Sequence, residues 1–196
     1  MTVKEEIMAA TVVVKEANGA GPDWTTKTAV RFCTADAHDP GTDNPIPIPE
    51  SDFNYSYWKS LALDLSGTFT KINNVRFYSD GTIGWNCGTS GGLFVGQRDA
   101  GDHGAADGDY EQAAGTPGTT GYEIKDGSNG HDYYKGQSAA VKDVATCTSG
   151  SPITVDSGDH TEAERTKHVV LQVKVADDAT QGEQTDETLT FKYDEI

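Results

Sequence analysis

A chain of 196 residues can bury one sizeable core, and its 22 glycines, without long Ala, Leu, Glu and Lys runs at helical spacing, argue against a mainly helical protein. Its 15 basic and 31 acidic residues give a formal charge of -16, which repels phosphate backbones and anionic membrane surfaces, so neither nucleic acid nor membrane insertion is expected. Cys33, Cys87 and Cys147 are odd in number and far apart, which indicates buried thiols and neither a disulfide framework nor a CxxC-type metal site.

Nothing in the chain resembles a linker, so residues 1–196 read as a single domain with 1–10 as a candidate N-terminal arm. The opening MTVKEEIMAATVVV lacks a basic region followed by a sufficient apolar core, and no signal peptide is expected. A first strand is predicted over 11–16, where Val12, Val13 and Val14 are β-branched. Residues 18–22 then make a loop, and a second strand over 28–33 alternates Val30 and Phe32 with Ala29 and Arg31. The Pro-rich stretch from Asn44 to Pro49 cannot donate to a ladder at three positions and is predicted to cover a sheet edge.

From Tyr55 to Trp85 the pattern predicts a meander of three antiparallel strands. Leu61, Leu63 and Leu65 belong to the first, Val75 and Phe77 to the second, and Ile83 and Trp85 to the third, with turns at Ser66-Gly67 and Asp80-Gly81. A short strand follows over 91–97. Residues 98–121 are almost entirely Gly, Ala, Asp, Thr and Pro, longer than the roughly 12–15 residues usual for a connection without structure of its own, and loops of this length are more often functional or flexible than architectural. Weak strand signals return at 122–124, 132–134 and 141–147. Another short strand is predicted over 151–155, and Thr161 with Glu164 has the spacing to cap a helical turn through Lys167. Two alternating strands close the chain, one on Val169, Leu171, Val173 and Val175, the other on Leu189, Phe191 and Tyr193. Together these elements predict an all-β fold, a single antiparallel β-sandwich of about 8–10 strands, jelly-roll or immunoglobulin-like.

Residues 172–196, ending VKVADDATQGEQTDETLTFKYDEI, resemble the closing hairpin of immunoglobulin-like and related sandwich domains. More loosely, an acidic, Gly- and Thr-rich single sandwich is similar in character to the decoration and tail-associated proteins of tailed viruses. That resemblance implies a non-enzymatic structural protein, assembling in many copies on a virion or other extracellular particle surface. Its partners would be further copies of itself or capsid and tail proteins of the same particle.

Three groups of residues carry candidate chemistry. Gly88-Thr89-Ser90-Gly91-Gly92 resembles the nucleophile loop of trypsin-like serine proteases, which would make Ser90 the nucleophile, His38 the base and Asp64 the orienting acid. The interval between His38 and Ser90 is too short for that family's two barrels, and the residue after the glycines is Leu93 where the family usually has Pro, so no catalytic residue is assigned. Asp99, Asp102, Asp107, Asp109 and Glu111 are carboxylates in one flexible loop, the donor type hard cations prefer, and make calcium the one candidate cofactor. They lack the order of an EF-hand, and a solvated acidic loop is the competing reading. Trp24, Tyr57, Trp58, Tyr133 and Tyr134 could present rings to sugars, as in a carbohydrate-binding module or adhesin contacting surface glycans, although in sandwiches such rings more often close the core. His131, His160 and His168 read as surface histidines.

Overall fold

The structure is a computed structural model describing residues 9–99 and 101–196, so the first eight residues of the candidate arm lie outside the described residues. The protein is an all-β antiparallel sandwich, as the patterning predicts. The twelve strands among the described residues exceed the expected number because β3, β7, β8 and β9 are only two or three residues long.

The larger sheet runs in the order β2-β1-β4-β11-β6-β9. It comprises β1 (Ala10–Asn18), β2 (Asp23–Thr26), β4 (Lys59–Gly67), β6 (Gly92–Gly96), β9 (Val141–Asp143) and β11 (Val169–Ala176), with β3 (Phe53–Tyr55) pairing the far end of β11. The second sheet is β10 (Ile153–Asp156), β5 (Ile72–Ser79) and β12 (Leu189–Glu195), with β5 in the middle. A two-residue ribbon, β7 (Gly115–Thr116) and β8 (Thr120–Gly121), stands apart.

The predicted meander is not one. β4 bonds to β1 and β11, whereas β5 bonds to β10 and β12. Alternation tells a strand which of its faces is buried but not which strand lies beside it. Leu61, Leu63 and Leu65 do join Val75 and Phe77 in one core, but from opposite sheets. Residues 82–91 form no strand: Gly84 N, Trp85 Nε1 and Asn86 N are bonded to Glu187, Thr185 and Gln184 at 2.7, 2.7 and 2.9 Å. Residues 28–33 form no strand, although Val30 and Phe32 pack on the main core; the strand beside β1 is instead β2, where a turn through Gly19 pairs Ala17 with Trp24. The Pro-rich run packs Ile46 and Ile48 on the main core. No helical turn forms over 161–167, and residues 122–124 and 132–134 are not strands.

The predicted alternation of buried and exposed residues fails along β11, where Val170 and Gln172 are buried as completely as Val169 and Leu171. One face of β11 meets the β10-β5-β12 sheet. Its other face is covered by residues 98–140, which contribute Ala113, Ile124, Tyr134 and Ala140 to a second core with Tyr57, Trp58 and Val170. Gln172 bridges the two layers. Its Nε2 donates to the carbonyls of Ser56 and Tyr122, both at 2.7 Å, and its Oε1 accepts from Ile124 N at 3.0 Å.

A Gln172→Leu substitution keeps volume and leaves three backbone groups without their partner, of which the two buried ones, Ser56 O and Ile124 N, cost about 1–3 kcal/mol each. We expect urea unfolding to show a loss of at least about 2 kcal/mol. A variant as stable as the parent would mean that the 98–140 layer does not depend on this side chain.

Candidate functional site

The segment expected to be a loose acidic loop is a folded layer. His103 N and Gly104 N donate to Thr154 O and Val155 O, Ala105 exchanges both backbone hydrogen bonds with His168, and Tyr134 Oη donates to His103 O at 2.9 Å. The Tyr134 ring lies directly on Gly96, where a Cβ would come within 2.8 Å of its carbons, so β6 needs glycine there. Tyr110 Oη donates to Gly19 O at 2.9 Å and ties the layer to the β1–β2 turn.

These contacts bring aromatic rings and two histidines together. The Trp24 ring centroid lies 5.7 Å from His168 and 6.3 Å from Tyr110, and the Arg165 guanidinium sits 4.3 Å over the Trp24 ring. Trp58 lies edge-on to His131 at 5.7 Å, and His131 is 5.0 Å from Tyr134. Of the five rings expected to meet a ligand, Tyr57, Trp58 and Tyr134 are buried and Trp24 is covered by Arg165. Tyr133 alone lines open space, with Arg98 at 4.5 Å over its ring.

The five carboxylates expected to converge are each engaged with a different neighbour. Asp99 accepts from the Ser138 hydroxyl and from Ala139 N at 2.8 Å, and Asp102 from Lys167 Nζ at 2.8 Å. Asp107 takes Arg165 at 3.2 Å, Asp109 caps Ala106 N at 3.3 Å, and Glu111 accepts from Asp132 N at 2.6 Å. Among the described residues no three His, Cys, Asp or Glu side chains are gathered to hold a metal.

What the layer does form is a pair of adjoining open depressions of about 440 and 450 Å³, which share Arg98, Tyr133 and Gln137. Asp102 and Lys167 line the first, Asp109 and Glu111 the second. Such a surface offers donors, acceptors and the rings of Tyr133 and Tyr110 to a hydroxyl-rich molecule, without the enclosed apolar wall of a typical small-molecule pocket.

The protease-like residues are not assembled. Ser90 lies in an exposed turn, Asp64 bonds to Arg165 at 2.8 Å, and His38 sits 3.3 Å from Thr25 Oγ1 and 3.5 Å from Glu16. Sequence reading missed a buried ion pair, Glu16 with Lys59 at 2.8 Å, the two side chains being 0% and 1% exposed. The signal was present: Glu16 shares parity with Val12 and Val14, and Lys59 with Leu61, Leu63 and Leu65, so both charges fall on the apolar faces of their strands.

The expectation for the histidines is corrected, since His131, His160 and His168 are all buried. His160 lies between Asp156 and Glu164, at 3.3 and 2.7 Å. Burial pushes His131 down to about 4, against the pull of Asp132 and Asp109, and pushes His168 down to about 3, helped by His131 and Arg165. Both rings are therefore neutral. His131 Nδ1 accepts from Tyr133 N, which puts its proton on Nε2, and neither nitrogen of His168 has a protein partner.

Histidine in the unfolded chain titrates near 6.5. Between there and about pH 4, where folded His131 begins to protonate, the unfolded chain holds more protons than the folded one. Stability is thus complete above pH 6.5 and falls as pH drops, by up to about 1.4 kcal/mol per pH unit for each histidine. Urea midpoints measured from pH 7 to pH 4 are expected to fall steeply for the parent and less steeply for His131→Gln and His168→Gln; equal slopes would mean that the rings are protonated in place. No family model matches this chain, and no curated protein or solved structure matches it either, so function must be argued from this geometry alone.

Proposed function

We propose that the chain is a non-enzymatic structural protein that assembles in many copies on a larger particle, a capsid decoration or tail component of a virion. The observation that carries this reading is the outer edge of β12. This seven-residue strand ends the smaller sheet, and among the described residues no strand lies beyond it. Ser79 N donates to Cys147 O on the β10 side of β5, so alternation sends Tyr78 and Arg76 toward β12. Their partners Thr190 and Lys192 then face β5, which leaves the backbone groups of Leu189 and Phe191 pointing outward.

An edge of this kind can accept a strand from a neighbouring copy or particle protein, with ladder hydrogen bonds supplying affinity. Leu189, Phe191 and Tyr193 are only partly covered, and an added strand would shield them further. The register shift between Lys192 and Asp194, with Lys192 exposed, limits pairing to the first half of the strand. A formal charge of -16 keeps unassembled copies apart until a matching surface is met.

On a density gradient of lysate from its native source, the protein is expected to travel with megadalton particles in fixed copy number. Leu189→Pro removes an outward N–H at the first residue of the strand, where proline is tolerated, and should abolish co-sedimentation while leaving the circular dichroism of the isolated chain unchanged. Wild-type protein remaining at the top of the gradient overturns the proposal.

A second reading, a carbohydrate-binding module or adhesin, rests on the depressions around Arg98, Tyr133 and Gln137. It predicts binding on a glycan array that Tyr133→Ala abolishes, and a blank array removes it.

A further inference from the structure

The buried ends of β1 and β4 place three side chains in a reactive relation. Glu16 is the partner of Leu61 and Ala17 of Ser60, so the next rung of the antiparallel ladder sets Asn18 opposite Lys59. Side chains on directly opposite residues start roughly 5 Å apart at Cβ, well within the reach of a lysine. By alternation Glu16, Asn18 and Lys59 share one face of the sheet. All three are removed from water: Glu16 is 0%, Lys59 1% and Asn18 6% exposed. Lys59 Nζ donates to Glu16 Oε1 at 2.8 Å and also to Ala37 O, whose segment closes over the group.

A simple ion pair leaves two features of this group unexplained. Glu16 Oε2 and Asn18 Oδ1 are buried and have no hydrogen-bond partner. Orphaned polar atoms destabilise a folded interior, and both belong to groups that a reaction between the side chains would use. Nucleophilic lysines are those held out of water beside a group that takes their proton, and such surroundings also keep water from competing for the carboxamide.

We propose that Lys59 and Asn18 become joined by an isopeptide bond, with Glu16 as proton carrier. Glu16 takes a proton from the Lys59 ammonium through the existing hydrogen bond. The amine lone pair then attacks Cγ of Asn18, and the developing charge on Oδ1 is met by the carboxyl proton of Glu16. Collapse breaks the bond between Cγ and Nδ2, and that nitrogen leaves as ammonia, taking up the released proton as ammonium. One carbon–nitrogen bond forms and one breaks, with no oxidant, reductant or further reactant. The product clamps the last residue of β1 to the first residue of β4, next to the turn that leads into edge strand β2.

The test is the intact mass of the purified chain together with a mapped proteolytic digest. The expected result is a mass lower than that of the sequence by one ammonia, with a branched peptide joining the segment containing Asn18 to the one containing Lys59. Lys59→Arg and Glu16→Gln should each restore the full mass, and Asn18→Asp should lose one water instead. Because the first reading is made on the native chain, it does not depend on any variant folding. Asn18 precedes Gly19, and a succinimide there would also lose ammonia; a mass loss that persists in Lys59→Arg, or that comes without the branched peptide, overturns the proposal. So does an unmodified full-length mass.

Discussion

The constraint on which this structure depends is that β11 lies inside the protein on both faces. A strand in that position forces the chain to build two covers. The β10-β5-β12 sheet provides the first, with Phe77 and Phe191 meeting edge to face at 5.2 Å within the main core. The second is mostly irregular, with the short β7–β8 ribbon inside it. It comes from residues 98–140, which are held by hydrogen bonds to scattered backbone groups and by Gln172 reaching up from the strand beneath. Small residues allow that close approach, since at Gly121 a Cβ would stand 2.3 Å from Ser56 O.

Charge follows the same division. The surplus of acid is not spread as a uniform solvated coat, because many carboxylates are engaged in pinning the irregular segments. Asp102 holds Lys167, Asp64 and Asp107 share Arg165, and Asp178 takes both the backbone N–H and the hydroxyl of Thr89. Exposed contacts of this kind contribute little to stability individually. Their weight here is in orientation: the guanidinium fixed between Asp64 and Asp107 is the one that covers Trp24. Acids that would bind a cation if gathered in one place are thereby distributed over several neighbours.

Two different kinds of chemistry sit in two of the places where polar groups enter the interior. Over the outer face of β11, His131 and His168 are kept neutral among aromatic rings, which makes that layer sensitive to acid but gives it no obvious reactive partner. At the end of β1, a buried carboxylate and a buried amine are hydrogen-bonded to each other, and the buried carboxamide of Asn18 lies on the same face of the sheet. The proposed clamp at that point and the proposed docking at the β12 edge would serve compatible ends: one would harden the sandwich, the other would admit a neighbour.

The amino-acid sequence by itself determined the all-β class, the strands β1, β4, β5, β6, β11 and β12 to within a few residues, and the inward faces of most of them. Side-chain parity is a local property, written into alternation of Leu61-Leu63-Leu65 or Val173-Val175, and needs no knowledge of neighbours. It also recorded Glu16 and Lys59 as charges on inward faces, although not that they meet. Tertiary structure alone decided that β4 and β5 belong to different sheets, that β11 is covered twice, and that Tyr57, Trp58, Tyr134 and the histidines are interior. These outcomes depend on which segments come to lie across from one another. For residues 98–140, rich in glycine and acid and without periodicity, the partners are backbone groups far away in the chain, and no pattern within the segment encodes them.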